Sequence, residues 1–217
     1  DYKRALDGDA GPNTGGMGAI SPAPALSSAM IDRSMEEIVR PTIAGMAARG
    51  TPFCGVLYAG LMITNEGPKL IEYNVRFGDP ECQALMPRLE SDLAEILRAT
   101  ASGGLARIHP KWSRQQSVTV TMTNRGYPGA YDRGGSIEGL KAAEAMDGVV
   151  VFQAGTSIDG GRLLATGGRV LNVTALGDSA EAARRRAYEA VSAIGWPGAQ
   201  YRTDIAASQG RPKIAAG

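Results

Sequence analysis

Apolar residues recur at helical spacing between residues 27 and 50, where Ile31, Met35, Ile38, Val39, Ile43 and Met46 share one face. Ser27 or Ser28 is placed to cap that helix and Gly50 to close it. Pro41 falls inside the pattern and predicts a kink or a division. The pattern then changes to strand-like over 53–63, breaks at the turn signal Asn65-Glu66-Gly67-Pro68, and resumes over 69–75, which predicts a hairpin. Ahead of all this, residues 7–24 are rich in Gly, Pro and Asn and read as loop.

Two short helices are expected after Asp79-Pro80, the second capped by Ser91 and turning Leu93, Ile96 and Leu97 inward. Past Gly103-Gly104 the patterning changes character, and the boundary between two domains, 1–105 and 106–217, is set there. Val118, Val120 and Met122 alternate with polar residues in a strand. Further strands are expected at 149–153, 162–166 and 170–174, then a helix over 179–194 with Ala183, Ala187, Val191 and Ile194 on one face. The fold class is α+β, with a mostly antiparallel second domain.

Composition narrows the chemistry. Lys plus Arg number 23 against 22 Asp plus Glu, so bulk charge makes no case for a nucleic-acid or membrane-surface partner. The longest apolar run, 55–63, is too short to span a bilayer. Cys54 and Cys82 make no disulfide framework and fit a reducing cytoplasm. The single histidine, His109, argues against a His-rich zinc site and against a triad built on histidine. A metal, if used, is expected to be a hard cation on oxygen ligands. The chain opens at Asp1 without a Met and reads as the middle of something longer.

The segment from Leu70 to Glu81 carries most of the chemistry. Residues two apart on a strand share a face, so Glu72 and Asn74 are expected to point one way while Ile71, Tyr73 and Val75 enter the core. Their backbones then lie roughly 7 Å apart, and a carboxylate with an amide oxygen is a suitable pair for Mg2+, which shares its shell with water and phosphate. An ordinary solvated strand face has the same alternation. Arg76 continues the Glu72/Asn74 face and is placed to fork onto an anionic oxygen. Asp79 before Pro80 suits a helix cap, with Glu81 in the first turn. Backbone N–H groups of the loop from Asn13 to Gly18 offer a cradle for an anion, or else form a plain glycine-rich connection.

These residues also carry a resemblance. Arg76-Phe77-Gly78-Asp79-Pro80-Glu81-Cys82-Gln83 is similar to the RFGDPE-x-Q signature of the glycinamide ribonucleotide synthetases, and Gly11-Pro12-Asn13-Thr14-Gly15-Gly16-Met17-Gly18 to their GPNTGGMG loop. Asp1-Tyr2-Lys3-Arg4 resembles the family's lead-in. Gly126-Tyr127-Pro128-Gly129, Ala154-Gly155-Thr156, Thr166-Gly167-Gly168-Arg169-Val170-Leu171 and Arg202-Thr203-Asp204-Ile205 follow its C-terminal domain in order. Departures at Gln153, Ala206 and Thr123-Asn124-Arg125 lie in that domain and touch substrate contacts rather than the reaction.

The resemblance implies the C-terminal lobe of an ATP-grasp domain over 1–105, an antiparallel sheet with helices, followed by the family's C-terminal domain. It implies ligation of glycine to 5-phosphoribosylamine with ATP and Mg2+ or Mn2+, in purine biosynthesis. Implied roles are metal binding for Glu72 and Asn74, catalysis for Arg76 and Asp79, and substrate or phosphate binding for Lys3, Asn13, Thr14, Gly15, Gly16 and Arg76. A monomer with no nucleic-acid or membrane partner is expected, and a piece of this length is expected to be inactive alone. Another ATP-grasp carboxylate–amine ligase, or a non-catalytic packing module, is the competing reading.

Overall fold

The structure is a computed structural model that describes residues 1–207. Strand β1 (Arg4–Leu6) lies just ahead of the stretch that reads as loop and pairs antiparallel with β2 (Ala10–Asn13) inside it, where β3 (Gly18–Ser21) also forms. Helix α1 (Ser28–Ser34) is capped by Ser27, whose hydroxyl accepts the Met30 amide at 3.2 Å. It passes through a wide turn, Met35–Val39, into α2 (Arg40–Ala48). Pro41 therefore does not divide the helix. It lacks an N–H, and the turn before it is loosened so that the Arg40 amide reaches back to the Met35 carbonyl.

The expected hairpin is present as β4 (Tyr58–Thr64) and β5 (Gly67–Asn74). Helices α3 (Glu81–Leu85) and α4 (Leu93–Ala101) follow. Asp92, one residue beyond the predicted Ser91, caps α4 by accepting the Ala94 and Glu95 amides. The chain continues through β6 (Gln116–Asn124), β7 (Gly135–Ser136), α5 (Leu140–Glu144) and β8 (Val149–Gln153). It ends, among the described residues, with β9 (Thr156–Asp159), β10 (Arg162–Ala165), β11 (Arg169–Gly177), α6 (Ala180–Ala193) and β12 (Ala199–Gln200). Helices and antiparallel sheets together make the α+β class.

Packing gathers these elements into two compact units that cross the chain order. One comprises Asp1–Ser21, Asp79–Arg88 and the described residues from Trp112 to Ala207; the other comprises Pro22–Gly78 and Leu89–Lys111.

In the first unit the main sheet runs β12-β6-β11-β8, and β3 also pairs with β6. Val118, Val120 and Met122 lie opposite Ala175, Val173 and Leu171, so one face of the β6–β11 pair is wholly apolar. It joins a buried cluster with Ala183, Ala187, Ala190 and Val191 of α6, whose small side chains recur at helical spacing. Each fully buried valine or leucine here contributes about 1.5–3 kcal/mol. The opposite face is buried but polar, and it is paired internally except at Asn172 Nδ2, which finds no partner among the described residues. Thr119 and Thr174 share a hydrogen bond of 2.8 Å, and Thr121 donates to Asn172 at 2.8 Å.

In the second unit Tyr73 fastens β5 to the long helix. Its hydroxyl donates to the Ile38 carbonyl at 3.1 Å and lies 2.9 Å from the Thr42 hydroxyl. No helix among the described residues is long and apolar enough to cross a membrane.

Candidate active site

The predicted site residues fall into two groups, one in each unit. In the second unit, Glu72, Asn74 and Arg76 line the end of β5. Gly60 of β4 lies directly opposite Glu72. A Cβ on Gly60 would stand 3.1 Å from the Glu72 Cγ, so the glycine leaves room for the carboxylate stem to lie across the neighbouring strand. Arg76 folds back over the strand end, donating to the Phe77 carbonyl at 2.8 Å and toward Asn74 Oδ1 at 3.4 Å. Tyr73, between Glu72 and Asn74, turns the other way onto the helix, which leaves the Glu72/Asn74 side free of that packing.

Strict alternation fails at one place. Leu61 pairs with Leu70 and Gly60 with Glu72, so Ile71 is an extra residue, a bulge. Ile71 is 62% exposed and Val75 74% exposed, so neither enters the core as the alternation predicts. The bulge accounts for Ile71, Val75 lies beyond the end of β5, and only Tyr73 is packed as expected.

The second group belongs to the first unit. Lys3 pairs with Asp1 at 2.6 Å, while its carbonyl accepts both the amide and the hydroxyl of Thr14, at 2.7 and 2.8 Å. The loop amides are then used up one by one. Gly15 N–H donates to the Tyr127 hydroxyl at 3.1 Å, Gly16 N–H to Thr14 Oγ1 at 2.9 Å, and Met17 N–H to the Tyr2 carbonyl at 2.8 Å. The amides of residues 14–17 thus hold the loop's own shape and do not form the expected open cradle. An anion beside this loop would meet the exposed Lys3 and Asn13 side chains instead.

Asp79 is not a helix cap. Pro80 occupies the cap position of α3 and no side chain caps that helix. The Asp79 carboxylate instead accepts from Arg169 at 3.1 Å and from Gln83 at 3.2 Å, and its carbonyl accepts a second Arg169 bond at 2.7 Å. Arg169, Gln83 and Tyr127, which contact the predicted site residues Asp79 and Gly15, are ones that sequence reasoning passes over, although the glycines beside Arg169 and Tyr127 mark places of close approach. Burial, reinforced by the Asp79 charge, pushes the Cys82 thiol above its ordinary pKa. Oxygen donors and guanidinium groups therefore dominate. Among the described residues no three His, Cys, Asp or Glu side chains gather as a metal cluster. The Glu72 and Asn74 oxygens match a hard cation that completes its shell with water and phosphate.

Residues 1–82 match the family model of the phosphoribosylglycinamide synthetase ATP-grasp (A) domain, and residues 117–208 match that of its C domain. The chain belongs to the phosphoribosylglycinamide synthetase family. It is 56% identical over 205 residues to the phosphoribosylamine–glycine ligase of Mesorhizobium japonicum, covering 94% of this chain and 48% of that relative. The chloroplastic phosphoribosylamine–glycine ligase of Arabidopsis thaliana is also 56% identical, over 209 residues, with 94% of this chain and 39% of that protein covered. The crystal structure of the Thermotoga maritima phosphoribosylamine–glycine ligase superposes with a TM-score of 0.82 at 35% identity, over 94% of this chain and 50% of that one. The chain spans about half the length of the curated relatives that it matches.

Proposed function

We propose that this chain is the C-terminal part of a phosphoribosylamine–glycine ligase, joining glycine to 5-phosphoribosylamine at the expense of ATP. The products are glycinamide ribonucleotide, ADP and phosphate, a step of purine biosynthesis. The residues divide the ATP-grasp part, 1–105, from the C domain, 106–217; the two family matches, 1–82 and 117–208, fall on either side and support that division. The observation that carries the reading is the side-by-side placing of Asn74 and Arg76, with Glu72 given room by Gly60 on the adjoining strand.

In this reading a carboxylate oxygen of glycine attacks the γ-phosphorus of ATP and ADP leaves, giving glycyl phosphate. The phosphoribosylamine nitrogen then attacks the glycyl carbon, the carbon–oxygen bond to phosphate breaks with its electron pair, and the nitrogen loses a proton. A carboxylate attacking phosphate needs charge neutralisation and alignment more than a protein nucleophile. Glu72 and Asn74 would hold Mg2+ or Mn2+, which when bound supplies positive charge at the phosphate oxygens. Arg76 would fork onto an anionic oxygen next to them. Lys3, Asn13, Thr14, Gly15 and Gly16 would border the anionic substrate, with Asp79 fixing the approach to that loop. The full-length protein works as a monomer, in the reducing cytoplasm that its unpaired Cys54 and Cys82 suit.

The test is ADP release by the full-length protein with ATP, Mg2+, glycine and freshly generated phosphoribosylamine. Release that depends on both glycine and the amine is the expected result. Release that ignores glycine, or requires another carboxylic acid, would sink the reading.

A further inference from the structure

We propose that Arg169 is a positioning residue for the ligation site, one that locks the Gly15 turn and Asp79 into a single arrangement; this rests on the ligase reading above. Arg169 sits at the start of β11, 90 residues from Asp79 in sequence. Its guanidinium spends two bonds on that one residue, Nη1 to the carbonyl at 2.7 Å and Nη2 to the carboxylate at 3.1 Å. The same group lies close against Gly15. A Cβ there would stand 2.9 Å from both Arg169 Cζ and Nη2, closer than real Cβ contacts come. One side chain therefore touches both segments at once.

The backbone beneath Arg169 is itself held. Its carbonyl accepts the Gly155 amide at 3.0 Å, and a Cβ on Gly155 would lie 2.4 Å from the Gly167 Cα and 2.6 Å from the Arg169 carbonyl oxygen. The two connecting turns can approach this closely only because Gly155 and Gly167 are both glycine. A second route reaches the same turn. Gly168 leaves space for the Tyr127 ring, whose Cδ2 would stand 2.4 Å from a Cβ there, and the Tyr127 hydroxyl accepts the Gly15 amide at 3.1 Å. Consecutive residues 168 and 169 thus seat Gly15 from two directions. The side chain is largely withdrawn from solvent, at 20% exposure, and its bonds to protein suit a brace.

The experiment uses the full-length protein and follows glycine-dependent ADP release against phosphoribosylamine. Arg169→Ala is expected to lower kcat/KM at least tenfold, and Arg169→Lys to recover little of it, because an ammonium cannot bridge a carbonyl and a carboxylate as a planar fork does. The decisive arm is Gly15→Ala. In the native background its methyl group displaces Arg169 and costs a similar factor; on top of Arg169→Ala it adds less than twofold, since the obstructing group is gone. Multiplying effects, or near-native turnover by Arg169→Ala, would overturn the proposal and leave Arg169 as an independent substrate contact or a bystander. Hydrogen exchange on the same variants gives a readout independent of activity. Arg169→Ala and the gentler Arg169→Gln are expected to speed exchange at the Gly15 and Gly16 amides at least tenfold while the β6–β11 ladder stays protected. Unchanged exchange there overturns the brace. Should the native protein release no glycine-dependent ADP, the ligase reading fails, and the exchange result alone decides whether the brace exists.

Discussion

The indole nitrogen of Trp196 donates a 2.7 Å hydrogen bond to Asn124 Oδ1, and both residues are buried. The Asn124 amide nitrogen meanwhile donates to the Gly167 carbonyl at 2.8 Å, so one side chain ties the end of β6 to the turn before Arg169 and to the segment after α6. A buried polar group stripped of its partner costs about 1–3 kcal/mol. Trp196→Phe orphans one acceptor, whereas Asn124→Leu orphans the indole N–H and a turn carbonyl. Urea unfolding of this chain is expected to rank Asn124→Leu as the more damaging by at least about 1 kcal/mol. Equal losses would mean that water replaces the missing bonds.

A pH dependence follows from the N-terminal segment's attachment. Two hydrogen bonds from buried Arg202 at 2.7 Å hold the Asp204 carboxyl down to about 2. Burial alone would discourage the Arg202 charge, but the bonds to Asp204 and Asp9 outweigh it and raise its pKa. A carboxyl lowered in the folded state lends stability that is complete above the unfolded value, about 4. That contribution disappears as pH falls from about 4 toward about 2. The unfolding midpoint of Asp204→Asn is expected to lie below the native one at pH 7 and to converge with it near pH 2. A constant gap across that range would disprove the linkage.

Glu72→Ala in the full-length protein is expected to cut turnover by at least a thousandfold without lowering the melting temperature, since the side chain is exposed and leaves no cavity. Gly60→Ala is the milder companion, its methyl group pressing on Glu72 Cγ and raising the Mg2+ concentration needed for half-maximal rate. Near-normal activity of Glu72→Ala at saturating Mg2+ would remove it from the metal site.

Arg76→Lys separates a planar fork from a bare positive charge. If Arg76 grips an anionic oxygen at two points, the lysine variant is expected to lose at least tenfold in kcat/KM. A lysine variant with native kinetics reduces Arg76 to a general charge.

Much of this was legible in the chain because it is local. The β4–β5 hairpin follows from two apolar runs flanking Asn65-Glu66-Gly67-Pro68, and α6 from its alanine spacing. What escaped notice depends on residues far apart in sequence. β3 hides in Gly18-Ala19-Ile20-Ser21, four small or neutral residues whose strand exists only because β6 lies beside them. Gly18 itself is required by that approach, a Cβ there meeting the Thr119 carbonyl at 2.6 Å. Alternation gave Glu72 and Asn74 a face but could not foresee the bulge at Ile71, which depends on pairing register. Arg169 was visible as a letter in a motif; its purpose appears only with Asp79 beside it.

The 217 residues by themselves are expected to bind ATP–Mg2+ weakly or not at all, and to release no glycine-dependent ADP. They span about half the length of the curated relatives, and under the proposed ligase function the rest of the full-length protein is expected to supply much of the positioning that phosphoryl transfer needs. Titration calorimetry and a coupled ADP assay on the isolated chain check this. Robust ligation would mean that the ATP site lies wholly within it.

The joining of β3 to β6 bears on how this polypeptide can be cut. β3 and β12 occupy the same edge of β6, one along residues 117–120 and the other at 123–124. An excision that begins after residue 105 would discard β3 and strip most of that edge of its hydrogen-bonding partner. Bare strand edges recruit other strands, so such a product invites oligomers and precipitation rather than a well-behaved domain. A soluble version calls for residues 1–21 to be spliced back in or supplied as a peptide, and linear domain boundaries are a poor guide to where scissors belong.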